Sequence, residues 1–135
     1  GEISRGARRL IEATREALDA GIRAAVPGQT LGDIGAAISE TVKRRGFHVV
    51  KGLTGHGIGK NLHEDPTVLN EGRRGSGLRL KAGMTLAIEP MVAIGSPHIV
   101  QQPDESYATA DGSFSAHFEH TVLLTENGTE VLTMV

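Results

Sequence analysis

No cysteine occurs in the 135 residues. The chain therefore forms no disulfide and offers no thiolate, and any metal must be held by imidazole and carboxylate. An excess of one charge is also lacking: 14 basic and 16 acidic residues are well mixed and leave a formal net charge of −2. That balance gives no electrostatic basis for binding DNA, RNA or a membrane surface. No apolar run approaches the length of a transmembrane helix, and the basic, polar N-terminus lacks the apolar core of a signal peptide. Internal repeats and low-complexity stretches are absent. Together these absences predict an untargeted cytoplasmic protein of one modest domain, able to bury a core while exposing much of its surface. The sequence opens on Gly1 rather than on an initiator Met, which leaves room for a native start elsewhere.

What is present divides into a helical first part and a β-like remainder. From Ile3 to about Ala25, apolar residues at Ile3, Leu10, Ala13, Ala17, Leu18 and Ile22 recur at steps of three and four, a helical stripe that Pro27-Gly28 ends. Thr30 is a plausible N-cap for a second helix carrying Leu31, Ile34, Ala37, Ile38 and Val42, closed by Arg44, Arg45 and Gly46. Short β-like runs follow over Phe47 to Val50, Thr85 to Ile94, His98 to Gln101, Ala116 to Leu124 and Val131 to Met134. Helices followed by strands predict an α+β fold, two helices packed on one face of a mostly antiparallel sheet. Gly72 to Gly77 is expected to be an exposed, flexible loop.

Three polar islands stand in or beside apolar sequence: Gly55-His56-Gly57-Ile58-Gly59-Lys60-Asn61-Leu62-His63-Glu64, Ile88-Glu89-Pro90 and Phe118-Glu119-His120. Taken alone, the first is a glycine-rich turn with two surface imidazoles, although its glycines would also let the backbone approach whatever His56 touches. The His56 to His63 spacing matches neither a zinc finger nor an HExxH helix. Glu89 interrupts an apolar run, where an ionised carboxylate is expensive unless paired, hydrogen-bonded or bound to a cation. The alternative is a strand-end glutamate turned to water beside Pro90. The same two readings apply to Glu119, which strand alternation puts on one face with His117 and Thr121. One imidazole and two carboxylates form a hard ligand set that suits Mn, Fe, Co or Zn without choosing among them.

These islands, above all the string from Gly55 to Asp65 followed by Pro66, resemble methionine aminopeptidase. The resemblance runs from the Ala7-Arg8-Arg9-Leu10 helix to Val131-Leu132. It implies the C-terminal half of the pita-bread (creatinase/aminopeptidase) fold for residues 1–135, with the two helices packed on a single curved sheet. The spacing of 33 residues from His56 to Glu89 and 30 from Glu89 to Glu119 is similar to the type I enzymes, since type II enzymes carry a long insertion between the two glutamates. The family's two aspartate metal ligands belong to the first half of its fold and have no counterpart here. Asp19 and Asp33 fall in helix-like stretches, and Asp104 and Asp111 in a loop-like one.

By resemblance, His56, Glu89 and Glu119 are ligands of a dinuclear centre, with Glu119 bridging two divalent ions. The implied reaction is metal-assisted removal of the N-terminal methionine from a nascent polypeptide, complete only with the absent half. In the same scheme Glu89 relays protons and His63 binds the substrate peptide and stabilises the tetrahedral intermediate. Leu62 stands where the family often has Phe in the methionine pocket, and Tyr107 takes the place of an aromatic at the pocket mouth. Ser115 matches a position that helps bind a monovalent cation, and His117 replaces a frequent Gln beside the bridging glutamate. His120 is expected to be structural, and His48 and His98 surface or packing residues. Other relatives of the fold supply the alternatives, a prolidase or aminopeptidase P-like enzyme or a non-catalytic binding module. A partner chain carrying the other half is expected, because a sheet without its partner layer would expose apolar surface.

Overall fold

The computed structural model describes residues 1–134. Helix α1, Arg5–Ala24, starts where the Ser4 hydroxyl accepts from the Ala7 amide at 3.1 Å, so Ser4 caps the helix and Ile3 lies before it. Its buried stripe is Leu10, Ala13, Thr14, Ala17, Leu18 and Gly21, at the spacing of one helical face. Helix α2, Leu31–Arg44, opens with a capping box: the Asp33 amide donates to Thr30 Oγ1 at 3.3 Å, and the Thr30 amide donates to Asp33 Oδ2 at 2.8 Å. It closes through Arg45 and Gly46, whose φ of +81° is the left-handed turn that favours glycine.

Ten short strands follow among the described residues, and every pair among them is antiparallel. They are β1 His48–Val49, β2 Gly55–Gly57, β3 Glu64–Val68, β4 Thr85–Ile88, β5 Met91–Ala93, β6 Ile99–Gln101, β7 Tyr107–Thr109, β8 Ser115–His117, β9 His120–Thr125 and β10 Gly128–Val131. Five form one sheet in the order β10-β9-β4-β2-β3, three form a second in the order β1-β5-β8, and β6-β7 is a separate hairpin. The α+β expectation holds, with three corrections. The single curved sheet is divided into these pieces. The start of the glycine-rich stretch, which taken alone reads as a turn, is the interior strand β2. The last strand lies earlier than Val131 to Met134.

Both helices lie on the sheets, and the core runs from Leu10, Leu18, Ile34, Ile38 and Val42 to Val68, Leu86, Ile88, Val92, Val122 and Leu124, all at most 3% exposed. Each such side chain stabilises the fold by about 1.5–3 kcal/mol relative to remaining in water. The Gly72 to Gly77 segment is exposed, but it is tied to α2 rather than free. Ser76 O accepts from the Gly32 amide at 2.9 Å, Asp33 Oδ1 accepts from the Gly75 amide at 3.1 Å, and Arg74 pairs with Glu40 at 2.5 Å. Among the described residues, no helix is long and apolar enough to cross a membrane.

Candidate metal centre

The two sheets share two continuous stretches of chain. β4 leads into β5 through Glu89 and Pro90, and β8 leads into β9 through Phe118 and Glu119. Each apolar run expected as one strand is thus broken at its glutamate. The register is the same on both sides of the break: Ile88 faces His120 and Met91 faces His117. Glu89 therefore stands opposite Glu119, and Pro90 opposite Phe118, whose amide donates to the Pro90 carbonyl at 3.4 Å. Two carboxylates directly across a ladder repel one another and are destabilising unless something of opposite charge lies between them.

His56 comes to the same place from β2. It pairs with Ala87, two residues before Glu89, on the strand beside it. The glycines on either side fit their surroundings closely. A Cβ on Gly55 would run into the carbonyl oxygen of Ala87, and one on Gly57 into that of Asp65. The close approach that these glycines permit is thus to β4 and β3, the strands flanking β2. A single ligand-capable atom from each of His56, Glu89 and Glu119 lies within 4.8 Å of the others. His56 and Glu89 side chains are each 14% exposed, whereas Glu119 is exposed.

The tautomer of His56 follows from its partner. Nδ1 lies 2.8 Å from the Gly57 carbonyl, which can only accept, so Nδ1 carries a proton. In neutral imidazole Nε2 is then a bare lone pair, and it faces Glu89 Oε1 at 3.1 Å. That oxygen is buried and makes no hydrogen bond. Two acceptors at this distance need a proton or a cation between them. Burial first, and then the opposing Glu119 carboxylate, push the Glu89 carboxyl above its ordinary value, while the imidazoles of His56, His117 and His63 pull it down. The donor set and its orphaned oxygen fit a divalent cation.

The remaining predicted residues fall around this cluster. The His63 ring is 4.2 Å from that of His56, centroid to centroid, tilted by 52°. Leu62 precedes it in an exposed turn and is itself 70% exposed. Glu64 holds that turn by accepting from the Asn61 amide at 2.8 Å. His117 Nε2 lies 3.5 Å from Glu89 Oε2, so it reaches the same carboxylate as His56. Tyr107 and Ser115 line a cleft of about 270 Å³ together with His117 and Met91. His120 turns away to Thr133 Oγ1 at 2.8 Å, and His48 and His98 are exposed. Asp19 and Asp33 lie in helices and Asp104 and Asp111 outside the strands, while Asp65 stands alone on β3. The sequence reading did not include Asn70, which is 4% exposed and donates through Nδ2 to the Glu89 carbonyl at 2.9 Å.

Relatives share this arrangement of chain. Methionine aminopeptidase of Clostridium acetobutylicum is 48% identical over 135 residues, 99% of this chain and 54% of the relative. Methionine aminopeptidase 1 of Bacillus subtilis is 45% identical, over 100% of this chain and 55% of its own. The crystal structure of methionine aminopeptidase from Thermotoga maritima superposes with a TM-score of 0.97 at 48% identity, covering 100% of this chain and 55% of that one. Prolidase from Pyrococcus furiosus superposes at 0.77 with 27% identity, over 100% of this chain and 34% of its own. The fold is thus that of the pita-bread peptidases, and the chain spans about half the length of the curated relatives it matches. Residues 1–126 match the family described as metallopeptidase family M24, and with that match the chain belongs to metallopeptidase family M24.

Proposed function

We propose that residues 1–135 form the C-terminal part of a methionine aminopeptidase catalytic domain, in which His56, Glu89 and Glu119 are metal ligands. The observation that carries this reading is the bare Nε2 of His56 facing the orphaned Oε1 of Glu89 at 3.1 Å, with Glu119 across the ladder. When bound, two divalent ions, of Co, Mn, Fe or Zn, would activate water and polarise the scissile carbonyl. Two aspartates from outside this sequence, on a preceding segment or on a complementary chain, complete the ligand set. The protein then acts in the cytoplasm on the N-terminal methionine of nascent polypeptides.

The chain's own residues have separate tasks in this reaction. His56 is fixed by the Gly57 carbonyl so that Nε2 points into the centre. Glu89, raised in pKa and enclosed, holds and passes on the proton released by the attacking water. His63, whose ring lies tilted beside that of His56, donates to the substrate peptide oxygen and stabilises charge as it develops there. Leu62 contacts the methionine side chain, and Tyr107 lies at the pocket mouth. Ser115 contributes to a monovalent-cation site.

The test is to pair the chain with the remaining part of the Thermotoga maritima enzyme and follow methionine release from a Met-Ala-Ser peptide with added Mn²⁺ or Co²⁺. Methionine release by the pair, lost in Glu89→Ala, is the expected result. Cleavage of an Xaa-Pro dipeptide with no release of methionine would overturn it in favour of a prolidase-like enzyme. No hydrolysis of either substrate by a stable, metal-loaded pair would point to a non-catalytic module.

A further inference from the structure

Asn70 stands where the chain leaves β3, and none of the chemistry proposed above uses it. Its amide orientation is forced. The Glu89 carbonyl only accepts, so Nδ2 must face it at 2.9 Å; turned over, Asn70 would set oxygen against oxygen. This orientation leaves Asn70 Oδ1 buried without a partner, and among the described residues the other buried side-chain atom so placed is Glu89 Oε1. Buried polar atoms are nearly always satisfied. Here two exceptions belong to residues joined by one hydrogen bond.

The position of that bond gives it leverage. Glu89 lies between the end of β4 at Ile88 and the start of β5 at Met91, and the next residue, Pro90, has no N–H to donate. Holding the Glu89 carbonyl fixes the Glu89–Pro90 peptide plane at the bend. The base of the pin is itself anchored. Directly after Asn70, the Glu71 carbonyl lies against Gly35 of α2, closer than a Cβ there would allow, and the loop beyond is tied to α2 at Gly75 and Arg74. A chain of contacts runs from α2 through Asn70 to the backbone that carries the Glu89 carboxylate.

We infer that Asn70 is a positioning residue, which by hydrogen-bonding the Glu89 carbonyl sets the bend and so aims the Glu89 carboxylate at His56 and Glu119. Only the consequence for cation affinity rests on the metal reading above; the aiming of Glu89 does not.

The experiment is amide exchange by NMR on the 15N-labelled chain, followed by Mn²⁺ titration. In the unmutated protein the Asn70 Nδ2 protons should exchange at least about tenfold more slowly than those of Asn61 and Asn127. Equal rates would overturn the inference. Asn70→Asp keeps the shape and removes the donor, and Asn70→Ala removes both. Each should speed exchange of the Phe118 amide, which crosses the bend, and leave Leu86 and Val122 as they were. Each should also raise the Mn²⁺ concentration that half-broadens the His56 and Glu119 signals by about 10–100-fold. Exchange that rises uniformly through the core, or Mn²⁺ broadening unchanged in both variants, would overturn it. Should both variants unfold, the side-chain exchange of the unmutated protein decides. Absence of Mn²⁺ broadening in the unmutated chain would sink the metal reading, while the Phe118 exchange still decides the role of Asn70.

Discussion

Nε2 of His56 and Oε1 of Glu89 are 3.1 Å apart, with no hydrogen bond made by the buried oxygen. In the metal-free chain a proton on the pair relieves the opposition. Because the Glu89 pKa is raised above its ordinary 4.5 by burial, the folded state holds that proton to a higher pH than the unfolded state does. Stability from this group is therefore greatest below about 4.5 and falls as pH rises through the raised value. Glu89→Gln should remove the decline and stabilise the chelator-treated protein at pH 7 on the order of 1 kcal/mol. Denaturant unfolding at several pH values checks this; an unchanged pH dependence would count against it.

The imidazoles of His56 and His63 lie side by side, 4.2 Å apart and tilted, yet their proposed tasks differ. His56→Ala and Glu119→Ala should weaken Mn²⁺ binding by more than the roughly 10–100-fold typical of losing an outer partner. His63→Ala should leave binding within about tenfold of the unmutated protein and reduce turnover in the completed enzyme. Equal loss of metal in the His56 and His63 variants, measured by titration, would refute the division.

Gly55→Ala should destabilise the fold by about 1–3 kcal/mol or more, because overpacking forces the backbone to shift. The new methyl group meets the Ala87 carbonyl, so β2 must withdraw from β4. A wild-type melting temperature in this variant would show that the two strands are less closely apposed than described.

Asp111 accepts from the Ser96 and Ser113 amides at 2.7 and 3.0 Å, and these bonds lower its pKa to about 2. With the folded value depressed, its contribution is present above the unfolded value near 3.8 and is lost as pH falls toward 2. Asp111→Asn should flatten the acid limb of the stability curve over that interval. A limb identical to that of the unmutated chain would contradict this.

Both helices were legible in the sequence because each has an apolar stripe at one period, and the second also a cap. Leu10 to Leu18 supplies the first stripe, and Thr30 the cap of the second helix, whose reciprocal bond from Asp33 the structure adds. Glu89 and Glu119 were legible as carboxylates interrupting apolar runs, and His56 through the resemblance carried by the string from Gly55 to Asp65. Strand β2 was not, because glycine reads as a turn in isolation and the fitness of Gly55 for a crowded interior position depends on a distant neighbour, Ala87. The breaks at Glu89 and Glu119 were hidden for a similar reason: an apolar run reads the same whether it stays in one sheet or crosses to another. Asn70 after Val68 and Leu69 carries the local signature of a turn residue. Its function in the fold lies in a contact 19 residues distant.

The facing breaks at Glu89 and Glu119 are also a mechanical joint. They are the places where two neighbouring strands leave one sheet and enter the other, side by side. The gap between the two carboxylates is therefore set at the line where the two sheets meet, and a cation held between them would tie one sheet to the other.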